Sequence, residues 1–229
     1  MRTFRLQRRY QARRLEILRA AGREFRTRGF AETGMREIAA AADLSPANLY
    51  NYFRGKDELL FFCQDSALDR LISNLEKTRR VKENSTEKLR SAITFHLHCV
   101  LDEVEGSAAH LLTNSIPSHL QKRLLAKRDR YEQDLRQLIA TGIRSGEFLS
   151  TDPALATRAI LGSLNSTVLW FNPQGLLSAD SLAESFATYL IRGLCSACVP
   201  ARPARSGRSS DRPVVKLGKK LANKGAQQW

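Results

Sequence analysis

No apolar run in the 229 residues approaches the length of about 18 that a membrane-spanning helix requires, so a transmembrane segment is excluded. Charge crowds the amino terminus, but no apolar stretch stands behind it, so no secretory signal is expected. Four cysteines are too few to form a disulfide framework in a chain of this length. Glycine and proline are sparse between residues 11 and 195, and apolar residues there recur at helical spacing, not at alternating spacing. The expectation is a soluble cytoplasmic protein with an all-α body.

Acidic residues are missing from positions 1–14, where Arg2, Arg5, Arg8, Arg9, Arg13 and Arg14 give +6. Residues 196–229 carry eight cations against Asp211, for +7, and mix them with Pro, Gly and Ser. The two ends hold nearly all of the formal net charge of +14, and the body between them is close to neutral. Cationic ends on a neutral body suit arms that reach for a polyanion such as nucleic acid; a pair of solubilising tails is the alternative. The tail from 196 buries too little apolar surface to order itself and is predicted to be disordered. The chain divides into a basic amino-terminal arm (1–12), a first helical domain (13–55), a second, larger helical domain (56–195) and the basic tail (196–229).

A first helix is predicted from Arg13 to Arg28, with Ile17, Leu18, Ala21 and Phe25 buried and Gly29 ending it. A second runs from about Thr33 to Ala42. The turn Asp43-Leu44 follows, then Ser45 as N-cap and Pro46 in the first helical turn, where no amide hydrogen is needed. The third helix is short, with Gly55 as its C-terminal stop, and a long helix follows to about Arg80. Two short helices joined by a tight turn need a third to brace them, here through Leu44, Leu49 and Phe53. This is a helix-turn-helix. Its free face carries Ser45, Ala47, Asn48, Asn51 and Tyr52, small or amide-bearing side chains of the kind that major-groove readout needs. Tyr50 and Tyr52 can donate hydroxyl hydrogen bonds to phosphates, and Lys56 sits near a helix amino terminus suited to one. An ordinary helical hairpin, which would carry charges on such a face, is the alternative.

Ile17-Leu18-Arg19-Ala20-Ala21 with Phe25 and Gly29-Phe30, then Thr33-Gly34-Met35-Arg36-Glu37-Ile38-Ala39, then Leu49-Tyr50-Asn51-Tyr52-Phe53 with Lys56-Asp57-Glu58-Leu59-Leu60, resembles the TetR family of transcriptional regulators. The resemblance covers about residues 13–62 without a gap. It implies an all-helical homodimer whose three amino-terminal helices bind operator DNA, while a larger carboxy-terminal domain binds a small effector. Carried over by position, Thr33 and Lys56 match phosphate-contacting residues, and Tyr50 and Tyr52 match recognition-helix contacts. With Arg36, Ser45, Pro46, Ala47, Asn48 and Asn51 they make up the expected DNA-binding set. Gly34 departs from the hydroxyl residue common after the threonine, and Asp43 replaces the frequent turn glycine.

In the carboxy-terminal half, helices are predicted through Leu89–Leu101, followed by Gly106 and then Ala109–Asn114, from His119 to about Arg144, from Pro153 to Trp170 and from Ser178 to Leu194. Ala159, Gly162, Ser163 and Ser166 form a small-residue face on the third of these. Leu182, Phe186, Tyr189 and Leu190 line the last. The two would pair across a two-fold axis as a four-helix bundle; packing within the monomer is the alternative. The scatter of Gly142, Gly146-Glu147-Phe148, Asn165, Trp170 and Gly193-Leu194 is similar to the branch of the family that responds to acyl-CoA thioesters. That resemblance makes Arg158, Asn165, Trp170 and Phe171 candidates to line an effector cavity.

Cys195 and Cys198 have redox-pair spacing but stand alone at a helix end. His96 and His98 with Cys99 fall on opposite sides of a helix, and His110 and His119 lack partners, so satisfied histidines are expected and no metal or cofactor is. No catalytic motif appears, and no enzymatic activity is expected. The resulting expectation is a ligand-responsive DNA-binding regulator, a repressor released by its effector, nucleoid-associated when bound to a palindromic operator. A nonspecific architectural DNA-binding protein that uses its cationic ends is the alternative.

Overall fold

The computed structural model describes residues 2–101 and 116–195; the expectations at Gly106, Ala109–Asn114, His110, Cys198 and the tail lie outside them. The described residues are all-helical, with no strand among them. In chain order the elements are α1 (Arg2–Arg28), α2 (Met35–Ala41), α3 (Pro46–Tyr50), α4 (Lys56–Arg80), α5 (Ser85–Leu101), α6 (Ser118–Arg144), α7 (Pro153–Ser166), a 3₁₀ turn (Thr167–Leu169) and α8 (Ala179–Leu194).

The first helix is longer than predicted. It runs through the basic arm as far as Arg2, because nothing in residues 2–12 breaks a helix: they contain neither glycine nor proline. At its other end Gly29 takes φ +83°, the left-handed region that a side chain disfavours, and its amide donates to the Phe25 carbonyl. Gly55 does not act as the predicted stop for α3. It lies in fully extended backbone as the N-cap of α4, and a Cβ there would meet nothing.

Two apolar cores are strung along α4. The first gathers Ile17, Leu18, Ala21 and Phe25 with Ile38, Leu49 and Phe53, closed from below by Leu59, Leu60, Phe61 and Leu68. Ile116, just before α6, and Leu124, within it, also enter this core. The second gathers Leu71, Ile72 and Leu75 with the inner faces of α5, α6, α7 and α8. Between α4 and α6 runs a polar seam: Gln64 accepts from Arg128 at 2.9 Å, Asp65 pairs with Lys127 at 2.6 Å, Glu76 pairs with Arg130, and Arg79 donates to Asp134 at 2.6 Å. The helix that leaves the first core is therefore held to the second by adjustable ion pairs as well as by packing.

The turn after α6 is tied down by one carboxylate. Glu147 accepts from the Ser85 and Thr86 amides and from the Thr86 and Ser145 hydroxyls, capping the start of α5. Desolvation pushes its pKa up, but these four bonds to the charged form outweigh that and hold it at about 2.

Candidate nucleic-acid interface

Helix α3 is only five residues long and owes its position to its ends. Ser45 sits in extended backbone and its Oγ accepts from the Asn48 amide at 3.2 Å, while Pro46 opens the helix. Leu49 and Phe53 are fully buried, each worth about 1.5–3 kcal/mol of burial, and they turn the opposite face outward. Ser45, Pro46, Ala47, Asn48 and Asn51 are exposed, as is Arg36 on α2, and Tyr50 is 52% exposed.

Tyr52 does not join that face freely. It is half-buried, its ring stacked on Tyr10 of α1 at 5.1 Å and 22°, and the Tyr10 hydroxyl donates to the Asn51 carbonyl at 3.4 Å. Tyr10 lies outside the predicted set of site residues. Its signal is the helical period: positions 10, 14, 17, 18, 21 and 25 share one face of α1.

Both residues carried over as phosphate contacts are turned inward. Thr33 has no exposed surface, and its hydroxyl donates to the Gly29 carbonyl at 2.8 Å and to the Glu24 carbonyl at 3.3 Å. Its side chain joins the end of α1 to the start of α2 and presents no donor to a phosphate. The Gly34 amide, left without a hydroxyl cap, is met instead by Glu37 Oε2 at 3.0 Å. Lys56 is half-buried; its ammonium donates to the Phe30 and Ala31 carbonyls at 2.8 and 3.3 Å and stands 4.7 Å from the Phe30 ring centroid. Two of its three donors are thus directed at the α1–α2 loop.

The arginines from Arg5 to Arg14 also divide. Arg13 donates to the Ala42 carbonyl at 3.0 Å and pairs with Glu16, bracing the end of α2. Arg14 lies among Phe53, Phe62 and Tyr10 and pairs with Glu58 at 3.6 Å. Arg5, Arg8 and Arg9 are exposed.

The candidate effector residues are not brought together. Arg158 is on the surface, 3.7 Å from Glu132; Trp170 is 53% exposed and stacks on Phe186; Phe171 is half-buried beside it in sequence. Asn165 turns inward, 3.1 Å from His96 Nε2, while His96 Nδ1 lies 3.1 Å from the Tyr131 hydroxyl. His96 is therefore a hydrogen-bonded core histidine; burial pulls its pKa down to about 4 against the smaller opposing effect of Asn165. His98, two residues on, is exposed and lies 3.4 Å from Asp180. His119 is also exposed, and Cys195 is half-buried. A groove of about 450 Å³ runs along α4, between Phe62 and Phe95, with Asp69, Arg70, Asn74 and Lys77 on its walls.

On the outer faces of α7 and α8, Ala159, Gly162, Ser166 and Tyr189 turn outward, and Ser163, Phe186 and Leu190 lie beside them, several of the set half-buried. Leu182 departs from the expected dimerisation face. It is buried at 3% exposure within the protomer, because the inner side of α8 is shared with Ala183, Ala187, Ile191 and Leu194.

Residues 17–61 match the model of the bacterial regulatory proteins of the tetR family, and residues 82–194 match the tetracyclin repressor-like C-terminal domain. The TetR family transcriptional regulator PfmR from Thermus thermophilus is 30% identical, with a TM-score of 0.71 over 77% of this chain and 97% of its own. AibR in complex with isovaleryl coenzyme A and operator DNA is 25% identical, with a TM-score of 0.67 over 82% and 98% of the two chains. The HTH-type transcriptional repressor KstR2 of Rhodococcus jostii (strain RHA1) is 24% identical over 189 residues, 80% of this chain and 92% of that protein. With a helix-turn-helix of this geometry on an all-helical body, the chain belongs to the TetR family of transcriptional regulators.

Proposed function

We propose that this regulator is a homodimeric repressor that α3 seats in the major groove of a palindromic operator and that a small effector releases. The observation that carries the reading is the two-sidedness of α3: Leu49 and Phe53 fully buried, Asn48 and Tyr50 exposed on a helix begun by Ser45. Asn48 and Asn51 have the paired donor and acceptor that adenine requires, and Ala47 lets the helix approach the base edges. Thr33 and Lys56 serve to hold the domain together, so phosphate contact falls to other groups.

Dimerisation is supported by the exposed apolar residues of the carboxy-terminal half: Leu155, Leu169, Trp170, Leu176, Leu177 and Tyr189. Gly162, with open space where a Cβ would stand, permits close helix approach beside Ala159, Ser163 and Ser166. An acyl-CoA thioester is the effector class we favour, supported by the similarity to AibR in complex with isovaleryl coenzyme A. The groove along α4 is its preferred seat, because α4 begins at the DNA-binding core. A shift of α4 would change the separation of two recognition helices that must match half-sites about 34–36 Å apart.

Selection of bound duplexes from a random pool tests the reading. A short palindrome is expected, and Asn48→Ala should lose discrimination while keeping nonspecific affinity. Uniform binding to all sequences would instead identify an architectural protein working through its cationic ends. Operator affinity measured with and without isovaleryl-CoA then tests the effector class; equal affinities would remove it.

A further inference from the structure

We infer that the first turns of α1 form a second DNA contact, a helical clamp on the phosphate backbone beside the groove that α3 enters. The inference rests on the DNA-binding reading above and assigns a role to residues outside the helix-turn-helix. Arg5, Arg8 and Arg9 are exposed, are spaced i, i+3, i+4 so that they share a face, and pair with no other described residue. Arg13 and Arg14, on the same helix, are engaged in internal contacts. The clamp is placed by Tyr10. Its stack on Tyr52 and its bond to the Asn51 carbonyl set α1 against the C-terminal end of the recognition helix. At 1.5 Å per residue, Arg5 stands about 7–8 Å further along the axis from Tyr10.

The phosphate backbone is the occupant that geometry and charge favour. An α-helix with side chains is about 10–12 Å across and cannot enter a minor groove about 6 Å wide, so a helical extension stays on the rim. Guanidinium groups match phosphate oxygens in two-pronged fashion. The helix itself gains from such a partner. Its first turn holds no acid, and cations near a helix amino terminus oppose the macrodipole, so phosphates close to Arg5, Arg8 and Arg9 relieve a repulsion.

The test uses the full chain and a random-sequence duplex of about 30 base pairs, long enough for two half-sites and their flanks. Binding is titrated across a range of salt for the wild type and for the triple variant Arg5→Gln, Arg8→Gln, Arg9→Gln. Glutamine keeps helix propensity, and far-ultraviolet circular dichroism verifies the fold. The slope of log K against log salt should fall by about 2–3 per engaged protomer, since each lost phosphate contact is worth about 0.9. Replacing the three by lysine should restore most of that slope, while the sequence preference selected from a random pool stays unchanged in every variant. An unchanged slope in the glutamine variant overturns the clamp. A changed sequence preference also overturns it, because the arginines would then be reading bases. Failure of the wild type to bind any duplex would instead remove the DNA-binding reading itself.

Discussion

The guanidinium of Arg14 lies 3.9 Å from the centroid of the Phe62 ring, joining the second turn of α4 to the middle of α1. Phe53, at the close of the recognition segment, is 4.5 Å away on the same cation. Arg14→Ala should cost about 2 kcal/mol of unfolding free energy, through lost cation–π contact and a gap in a packed core. Arg14→Lys should cost less than alanine but more than nothing, because an ammonium cannot cover two rings as a planar fork does. Urea melts of the three proteins would check the order.

Thr33 offers a cleaner separation of structure from DNA contact. Thr33→Val keeps the shape and removes the donor to two carbonyls, and should destabilise by about 1–2 kcal/mol. The salt slope of duplex binding should not move. A slope reduced by about one, with stability intact, would return Thr33 to the phosphate contacts.

Acid should weaken the protein in two windows. His96 has a folded pKa of about 4 against an ordinary value of 6.5, so unfolding takes up a proton between those values and stability falls as pH drops from 6.5 toward 4. Glu147 has a folded pKa of about 2 against 4.5; its contribution is complete above 4.5 and is lost as pH falls toward 2. His96→Gln should flatten the upper window and leave the lower one, whatever its effect on absolute stability. Glu147→Gln should do the reverse. Chemical melts at pH steps from about 8 to about 3 would resolve the two.

Gly142 faces Phe148 so closely that an added Cβ would overlap the ring and press on Ser85. Gly142→Ala should destabilise by about 1–3 kcal/mol, and Phe148→Leu should recover part of that loss in the double variant. Asp43 is the opposite case. Its φ of 52° lies in the left-handed region, so Asp43→Gly should stabilise by about 0.5–1 kcal/mol. Urea melts of these variants would check both signs.

Those contrasts mark how far the sequence is legible. Local chemistry can be read directly: the Ser45 cap, Pro46, the buried Leu49 and Phe53 and the Gly29 stop all act as their residue types suggest. What cannot be read is the direction taken by side chains with two available partners. A threonine or lysine near a helix end can serve a phosphate or a carbonyl, and the Phe30 and Ala31 carbonyls come within reach of Lys56 only once α4 packs beside the α1–α2 loop. Leu182 and Asn165 likewise turn into the protomer, a direction that their residue types do not announce. The arm reads as separate from α1 because its charge hides the stripe that Tyr10 continues.

The grip of Lys56 on the Phe30 and Ala31 carbonyls has a mechanical consequence. The first residue of α4 is fastened to the α1–α2 loop, the Arg14 cation fastens its second turn to the middle of α1, and the same cation meets Phe53 just beyond α3. The three amino-terminal helices are joined into one block, and on the proposed reading the response to an effector is to be sought in the distance between two such blocks.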